Sequence, residues 1–357
     1  NTFKIKSLCY NFNIGDDYMK CVKLVDKKSL VTGEIDYPVK DGKRVVIEVI
    51  KAGICGSDLH NWNNGEPKDL VMGHEFSGIV VDPGSRKDLK VGDHVTALPI
   101  SPCNECFACK SGNLQYCAHT WENALGLSLT NPGAYSEEIS VTPKCVVKMK
   151  DNISFEEGAM VEPTAVGLHA IHLADIKVGD KVLIIGGGII GLVSAMFARM
   201  EGASLVVVSE ANEARGKKAL NLKVVDEYIY ADENFIAECM KKTNGGFDVV
   251  IDCCGNEPAV TSAMMVARAG GTIVLAGVAE KPITIPTIIG VLHELTIKGS
   301  IAYTENEFKT CVDLIANKRI DVMKFVDKVV SLDEVQSAFE ELTSGVSSSV
   351  KILIDPK

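Results

Sequence analysis

Short apolar runs fill the first part of the chain, and longer one-sided ones its middle. Val45–Ile50, Ser77–Val81 and His94–Leu98 are rich in Val and Ile and are bounded by Gly, Pro and Asp, which predicts strands. Met19–Val25 reads as another strand. Val91-Gly92-Asp93 and Val178-Gly179-Asp180 share one turn chemistry, each just before a strand. The pattern changes after Pro163. Thr164–Leu173 is apolar on one face and predicts a helix. Lys181–Ile185 (strand), Ile189–Glu201 (helix), Leu205–Ser209 (strand) and Ala211–Leu220 (helix) then alternate. Phe247–Asp252 and Gly271–Ala276 read as further strands, and such alternation predicts a parallel sheet. Glu307–Asn317 is helical again, Ser344–Ser349 a surface loop, and Val350–Ile354 a last strand returning to the first domain. The fold class is α/β. A β-rich domain is expected at 19–163 with a return at 300–357, around a doubly wound domain at 164–299. Residues 1–18 carry no clear pattern and are expected to be a non-native or poorly ordered extension, with Met19 as the natural start.

Composition narrows the function. The 357 residues are 46% hydrophobic and 24% charged, with a formal net charge of −10. That argues against nucleic acid or an anionic membrane as partner. No run of 18 apolar residues is free of polar breaks, so no membrane span is expected. No secretory signal is visible, and the expected compartment is the cytoplasm. Twelve cysteines in such a chain point to metal or catalysis rather than disulfides.

Gly186-x-Gly188-x-x-Gly191 follows a hydrophobic strand and opens a helix, with Ile189 and Ile190 inside the motif. In that context Gly186 permits the tight turn, Gly188 lets backbone approach a pyrophosphate, and Gly191 allows close helix–strand packing. The helix N-terminus offers free N–H groups to phosphates. Nineteen residues past Gly191, Glu210 ends the next strand, placed to accept ribose hydroxyls and repel a 2′-phosphate. NAD is therefore expected over NADP, although Arg215 nearby could accommodate that phosphate.

Cys103-x-x-Cys106-x-x-Cys109-x7-Cys117 supplies four thiolates in fifteen residues, the ligand set of a closed structural zinc. A second set is mixed. Cys55 and His74 are a sulfur–nitrogen pair of the kind catalytic zinc uses, and Glu75 and Glu162 are candidate carboxylates. Either glutamate could be the ligand, and the other a supporting partner or helix-terminal charge. His119, His169, His172 and His293 receive no role.

Taken together, the Cys55-Gly-Ser-Asp segment, Gly73-His-Glu-Phe-Ser-Gly78, the four-cysteine lobe, Val161-Glu-Pro163 and the glycine fingerprint resemble the zinc-containing medium-chain dehydrogenase/reductase family. The resemblance spans nearly all of Met19 to Lys357. It implies a GroES-like catalytic domain interrupted in sequence by a Rossmann domain, with the active site between them and a homodimer or homotetramer as the assembly. Glu162 stands where classical alcohol dehydrogenases have cysteine, which resembles the sorbitol, butanediol and threonine dehydrogenase branch. Ala302 stands where sorbitol enzymes carry arginine, and Glu294–Tyr303 looks closer to 2,3-butanediol dehydrogenases. The resemblance implies two zinc ions per chain and NAD-linked oxidation of a secondary alcohol, a small diol or polyol, by Lewis-acid zinc. It implies a proton path from Ser57 to His60, with Asn61, Trp62 and Tyr303 as pocket candidates. L-threonine 3-dehydrogenase, polyol-phosphate oxidation and a cofactor-binding redox sensor are the alternatives.

Overall fold

In Tyr18–Asp26 (β1), Met19, Cys21, Val22 and Leu24 turn inward, and β1 folds back antiparallel on Ser29–Asp36 (β2). The computed structural model describes residues 18–357, so the expectation for residues 1–17 lies outside them; Tyr18 itself opens β1 rather than belonging to an extension. Val45–Gly53 (β3) is paired on both edges, and six of its nine residues are buried. Glu75–Asp82 (β4) pairs with it antiparallel, and His94–Ala97 (β5) lies beyond β4. Glu138–Val141 (β6) pairs with residues 45–48 of β3, and Val146–Lys148 (β7) with β5. The short helix Gly56–Asn64 (α1) leaves the end of β3, and a long excursion between β5 and β6 carries the one-turn helix Phe107–Lys110 (α2).

Phe155–Ala159 (α3) and Val161–Ala174 (α4) lead out of this domain. The predicted helix starts three residues earlier than its periodicity suggested. Pro163 falls in the first turn, where its missing N–H has no partner to lose, so Glu162 is helical too. Six parallel strands follow: Lys181–Ile185 (β8), Leu205–Glu210 (β9), Glu227–Tyr230 (β10), Phe247–Asp252 (β11), Ala267–Leu275 (β12) and Thr296–Gly299 (β13). Between them run Ile189–Met200 (α5), Glu213–Asn221 (α6), Phe235–Thr243 (α7), Glu257–Val266 (α8) and Thr287–Leu292 (α9). The order β10-β9-β8-β11-β12-β13 reverses direction between β8 and β11, which is where doubly wound sheets open a ligand crevice. Glu305–Ala316 (α10) packs on α4, and Lys328–Ser331 (β14), Val335–Thr343 (α11) and Ile352–Asp355 (β15) complete the chain. β15 pairs with β3 at Ala52 and Gly53, so the chain's last strand is stitched to the strand that leads into Cys55.

The α4–α10 contact is held by a polar cluster. His169 and His172 each donate Nδ1–H to the Glu307 carboxylate, at 2.9 and 2.8 Å. Thr304 N–H also donates to that carboxylate at the start of α10. Burial alone would raise the Glu307 pKa, but these donors outweigh it and hold the group well below its ordinary 4.5. His172 is correspondingly raised above 6.5 by Glu307. The Glu307 share of stability is present above its ordinary value and lost as pH falls through the depressed one. The His172 share is complete below 6.5 and lost as pH rises through the raised value. In urea titrations, His172→Ala is expected to flatten the fall in unfolding midpoint between pH 6.5 and the raised value; an unaltered slope would assign the dependence elsewhere.

Candidate active site

The β3–β4 pairing brings the first two candidates together. Gly53 lies opposite Glu75, so Cys55, two residues beyond the end of one strand pairing, meets His74, one residue before the other. Ligand atoms of Cys55, His74 and Glu75 all lie within 4.8 Å of one another. Behind them stands Asp58, fully buried, which the sequence reading left without a role. Its Oδ2 accepts the Cys55 N–H at 2.9 Å and the Tyr135 hydroxyl at 2.8 Å, and its Oδ1 faces His74 Nδ1 at 3.6 Å. Ser57 Oγ lies 3.5 Å from His74 Nε2. A carboxylate behind Nδ1 orients the ring and leaves Nε2 toward the thiol side.

The two glutamates have different surroundings. One Glu75 oxygen takes the Lys351 ammonium, itself fully buried and also donating to Ile54 O at 2.9 Å. Glu162 accepts the Tyr303 hydroxyl at 2.8 Å. Burial pushes the Glu162 pKa up to about 7, with the His74 charge opposing and Glu75 reinforcing the shift. Asp58 Oδ1, His74 Nδ1 and Glu75 Oε1 are buried without hydrogen-bond partners. Buried polar atoms left unpaired are unfavourable. A thiolate, an imidazole and a carboxylate clustered this closely are the sulfur, nitrogen and oxygen donors zinc takes, so the residues fit that ion.

These groups open into a cavity of ≈ 320 Å³ between the domains, lined by Cys55, Ser57, His60, His74, Glu162 and Tyr303 on its polar side. His60 Nδ1 lies 3.6 Å from Glu280 across the cleft. Two pocket candidates are corrected. Asn61 is not among the lining residues. Trp62 is buried against Phe339 of α11, edge-on with ring centroids 5.8 Å apart, and its Nε1–H donates to Gln336 at 3.3 Å. The reason is helical phase: in α1, residues 56, 57 and 60 share one face, and 61 and 62 turn away from it. Pro99, Ile100, Trp121 and Leu127 line the cavity instead, from the segments on either side of the four-cysteine lobe.

The glycine loop sits at the reversal of sheet order. Gly186 has φ +105°, and a Cβ on Gly191 would lie 1.9 Å from Gly186 O, so both positions require glycine. Gly188 precedes α5 as its cap residue, with no side chain taking the helix's first N–H groups and open space around it. These are the features a pyrophosphate needs. Ile190 lines the interdomain cavity, whereas Ile189 packs into the core. Glu210 accepts the N–H groups of Gly187 and Asn212, both at 2.8 Å, and borders a ≈ 590 Å³ cavity with Asp232, Phe235 and Asn256. Arg215 is a correction. Its guanidinium donates to Ser349 O and Leu342 O, at 3.1 and 2.6 Å, and it does not line that cavity. It ties α6 to the returning chain.

The four-cysteine lobe is closed. Cys103 Sγ lies 3.5 Å from Cys117 Sγ and 3.9 Å from Cys109 Sγ, and backbone N–H groups of Glu105 and Cys106 point at it. A zinc–sulfur tetrahedron has sulfur edges of about 3.8 Å, so the lobe fits the ion.

Comparison with known proteins agrees with this geometry. Residues 41–151 match the alcohol dehydrogenase GroES-like domain and residues 190–317 the zinc-binding dehydrogenase family. D-xylulose reductase A of Aspergillus oryzae is 32% identical over 332 residues, covering 88% of this chain and 90% of the relative. The chain belongs to the zinc-containing medium-chain alcohol dehydrogenase superfamily. The enzyme superposes on 2R,3R-butanediol dehydrogenase of Bacillus subtilis with a TM-score of 0.83 at 29% identity, over 95% of this chain and 100% of that one. A Sinorhizobium meliloti chain described as a zinc-binding dehydrogenase, with NADP bound, gives 0.84 at 28% identity, over 95% and 99%. Among the described residues no helix is long and apolar enough to cross a membrane.

Replacing Cys117 by Ser is expected to remove about one zinc ion per chain, by elemental analysis, and to lower the melting temperature. Unchanged zinc content would remove the lobe as a metal site.

Proposed function

We propose that the enzyme oxidises a secondary alcohol to a ketone with NAD, and runs the reverse reaction, with a small diol or polyol of 2,3-butanediol type as substrate. The observation that carries this is the Cys55–His74–carboxylate donor set opening into one cavity with residues of the glycine-loop domain. When bound there, zinc supplies the Lewis acidity that acidifies a hydroxyl, and the nicotinamide accepts hydride. In balance, the carbinol C–H leaves as hydride to NAD, the O–H leaves as a proton, and a ketone remains.

The chain's own groups do the rest. Asp58 and the Cys55 N–H hold the thiol and imidazole in place. Lys351 balances the Glu75 charge in the interior, and Tyr303 orients Glu162 toward the cavity. Glu75 and Glu162 are the two candidates for a third metal donor. Ser57 Oγ would accept the substrate proton while giving up its own hydroxyl proton, which would pass along the cofactor ribose to half-exposed His60 and so to solvent. Glu210 receives the adenosine ribose hydroxyls and disfavours a 2′-phosphate, and Arg215 is already engaged, so the cofactor is NAD.

None of the eleven described cysteines is in a disulfide, which suits a reducing compartment, the cytoplasm. The assembly is a homo-oligomer. β13 ends the six-stranded sheet, and exposed Ile297 on it, with Ile288, Val291 and Leu292 of α9, is apolar surface of the kind a second copy covers.

His60→Ala is expected to lower kcat/KM for alcohol oxidation by about 100-fold on the acid side of neutrality and by less on the alkaline side, where solvent base substitutes. A steady-state pH profile of unchanged shape would take His60 out of the proton path.

A further inference from the structure

The walls of the interdomain cavity limit what it can bury. The nicotinamide belongs on the side of the sheet domain, beyond the carboxyl ends of β11 and β12, where Cys253 and Gly277 line the space. The opposite wall is hydrocarbon: Pro99, Ile100, Trp121 and Leu127, joined by Ile301 from the crossing segment. Trp121 lines this wall and is 38% exposed as a residue, so an apolar substrate arm has aromatic surface to cover.

The polar inventory is short. Cys55 and His74 belong to the donor set, and the Tyr303 hydroxyl is given to Glu162. His60 faces Glu280, and Ser57 faces His74. Among the described lining residues away from the donor set, one buried polar atom has no partner, Ser300 Oγ. Among the described residues no lysine or arginine lines the cavity, and Ala302 occupies the wall beside Tyr303.

We propose, on the basis of the dehydrogenase reading above, that this site selects an uncharged secondary alcohol with a short alkyl arm and at most one further hydroxyl. The arm lies on the Trp121–Leu127 wall, and Ser300 Oγ hydrogen-bonds the further hydroxyl. A sugar alcohol bears a hydroxyl on every carbon. Against this wall most of them lose water and gain no partner, and each such loss lowers kcat/KM by about 5- to 150-fold. A phosphorylated polyol would meet Glu162, and among the described lining residues no lysine or arginine offers its phosphate a partner. Each methylene added to the arm raises kcat/KM by about fourfold while room lasts.

The test is kcat/KM of the zinc-loaded enzyme with 2-propanol, 2-butanol, 2-pentanol, 2,3-butanediol, xylitol, sorbitol and galactitol 1-phosphate, using NAD and NADP in turn. The expected result is a rise along the alkanols, 2,3-butanediol at or above 2-butanol, and sugar alcohols at least about tenfold below. Xylitol or the phosphate ahead of 2-pentanol overturns the inference and leaves the dehydrogenase reading intact. No turnover of any of them overturns both. Two variants test the walls separately. Leu127→Ser is expected to reduce the slope of the alkanol series, chiefly through KM, and an unchanged slope removes that wall. Ser300→Ala is expected to lower the ratio of 2,3-butanediol to 2-butanol by at least about fivefold, the loss of one hydrogen bond, and an unchanged ratio removes Ser300.

Discussion

A half-buried thiol, two buried carboxylates and a buried imidazole share a corner between β3, β4 and α1, and part of their hydrogen-bonding capacity has no protein partner. Such a corner is unfavourable unless something with positive charge completes it. Lys351 neutralises one side, through Glu75. The other side is open to the cavity, and a divalent cation held by Cys55 and His74 resolves it. The antiparallel pairing that sets Gly53 against Glu75 makes this corner unavoidable, because it fixes the separation of the two metal-binding side chains.

The rest of the architecture serves that corner. The chain leaves the β-rich domain through α4, whose first turn delivers Glu162, builds the six-stranded sheet, and comes back through Tyr303 and Lys351. Each excursion returns a group to the site. Arg215 binds the glycine-loop domain to the last segment through backbone carbonyls, and Glu307 fastens α10 to α4. The cleft between domains is therefore held from several directions.

What the sequence made legible was local. The glycine fingerprint and the four cysteines lie within fifteen residues each, so spacing alone encodes their geometry. Cys55 and His74 are also close in the chain and flanked by strand signals. Asp58 stood inside the same segment, but a carboxylate at the third position of a helix reads equally as a cap, and it caps Cys55 as well as facing His74. Lys351 was invisible, since nothing in Ser-Val-Lys-Ile marks a lysine as buried; only the strand pairing across the whole chain does. Asn61 and Trp62 were misplaced because pocket and core lie on opposite faces of a nine-residue helix, and polarity does not reveal its phase. The Trp121–Leu127 wall comes from a loop, where burial follows from tertiary contacts rather than periodicity.

The most direct test of the central cation site is anomalous scattering at the zinc absorption edge from crystals of the zinc-loaded enzyme. The expected map has one peak among Cys103, Cys106, Cys109 and Cys117. A second peak lies about 2.3 Å from Cys55 Sγ and about 2.1 Å from a His74 ring nitrogen. A filled four-cysteine site with no peak shared by Cys55 and His74 would contradict the reading.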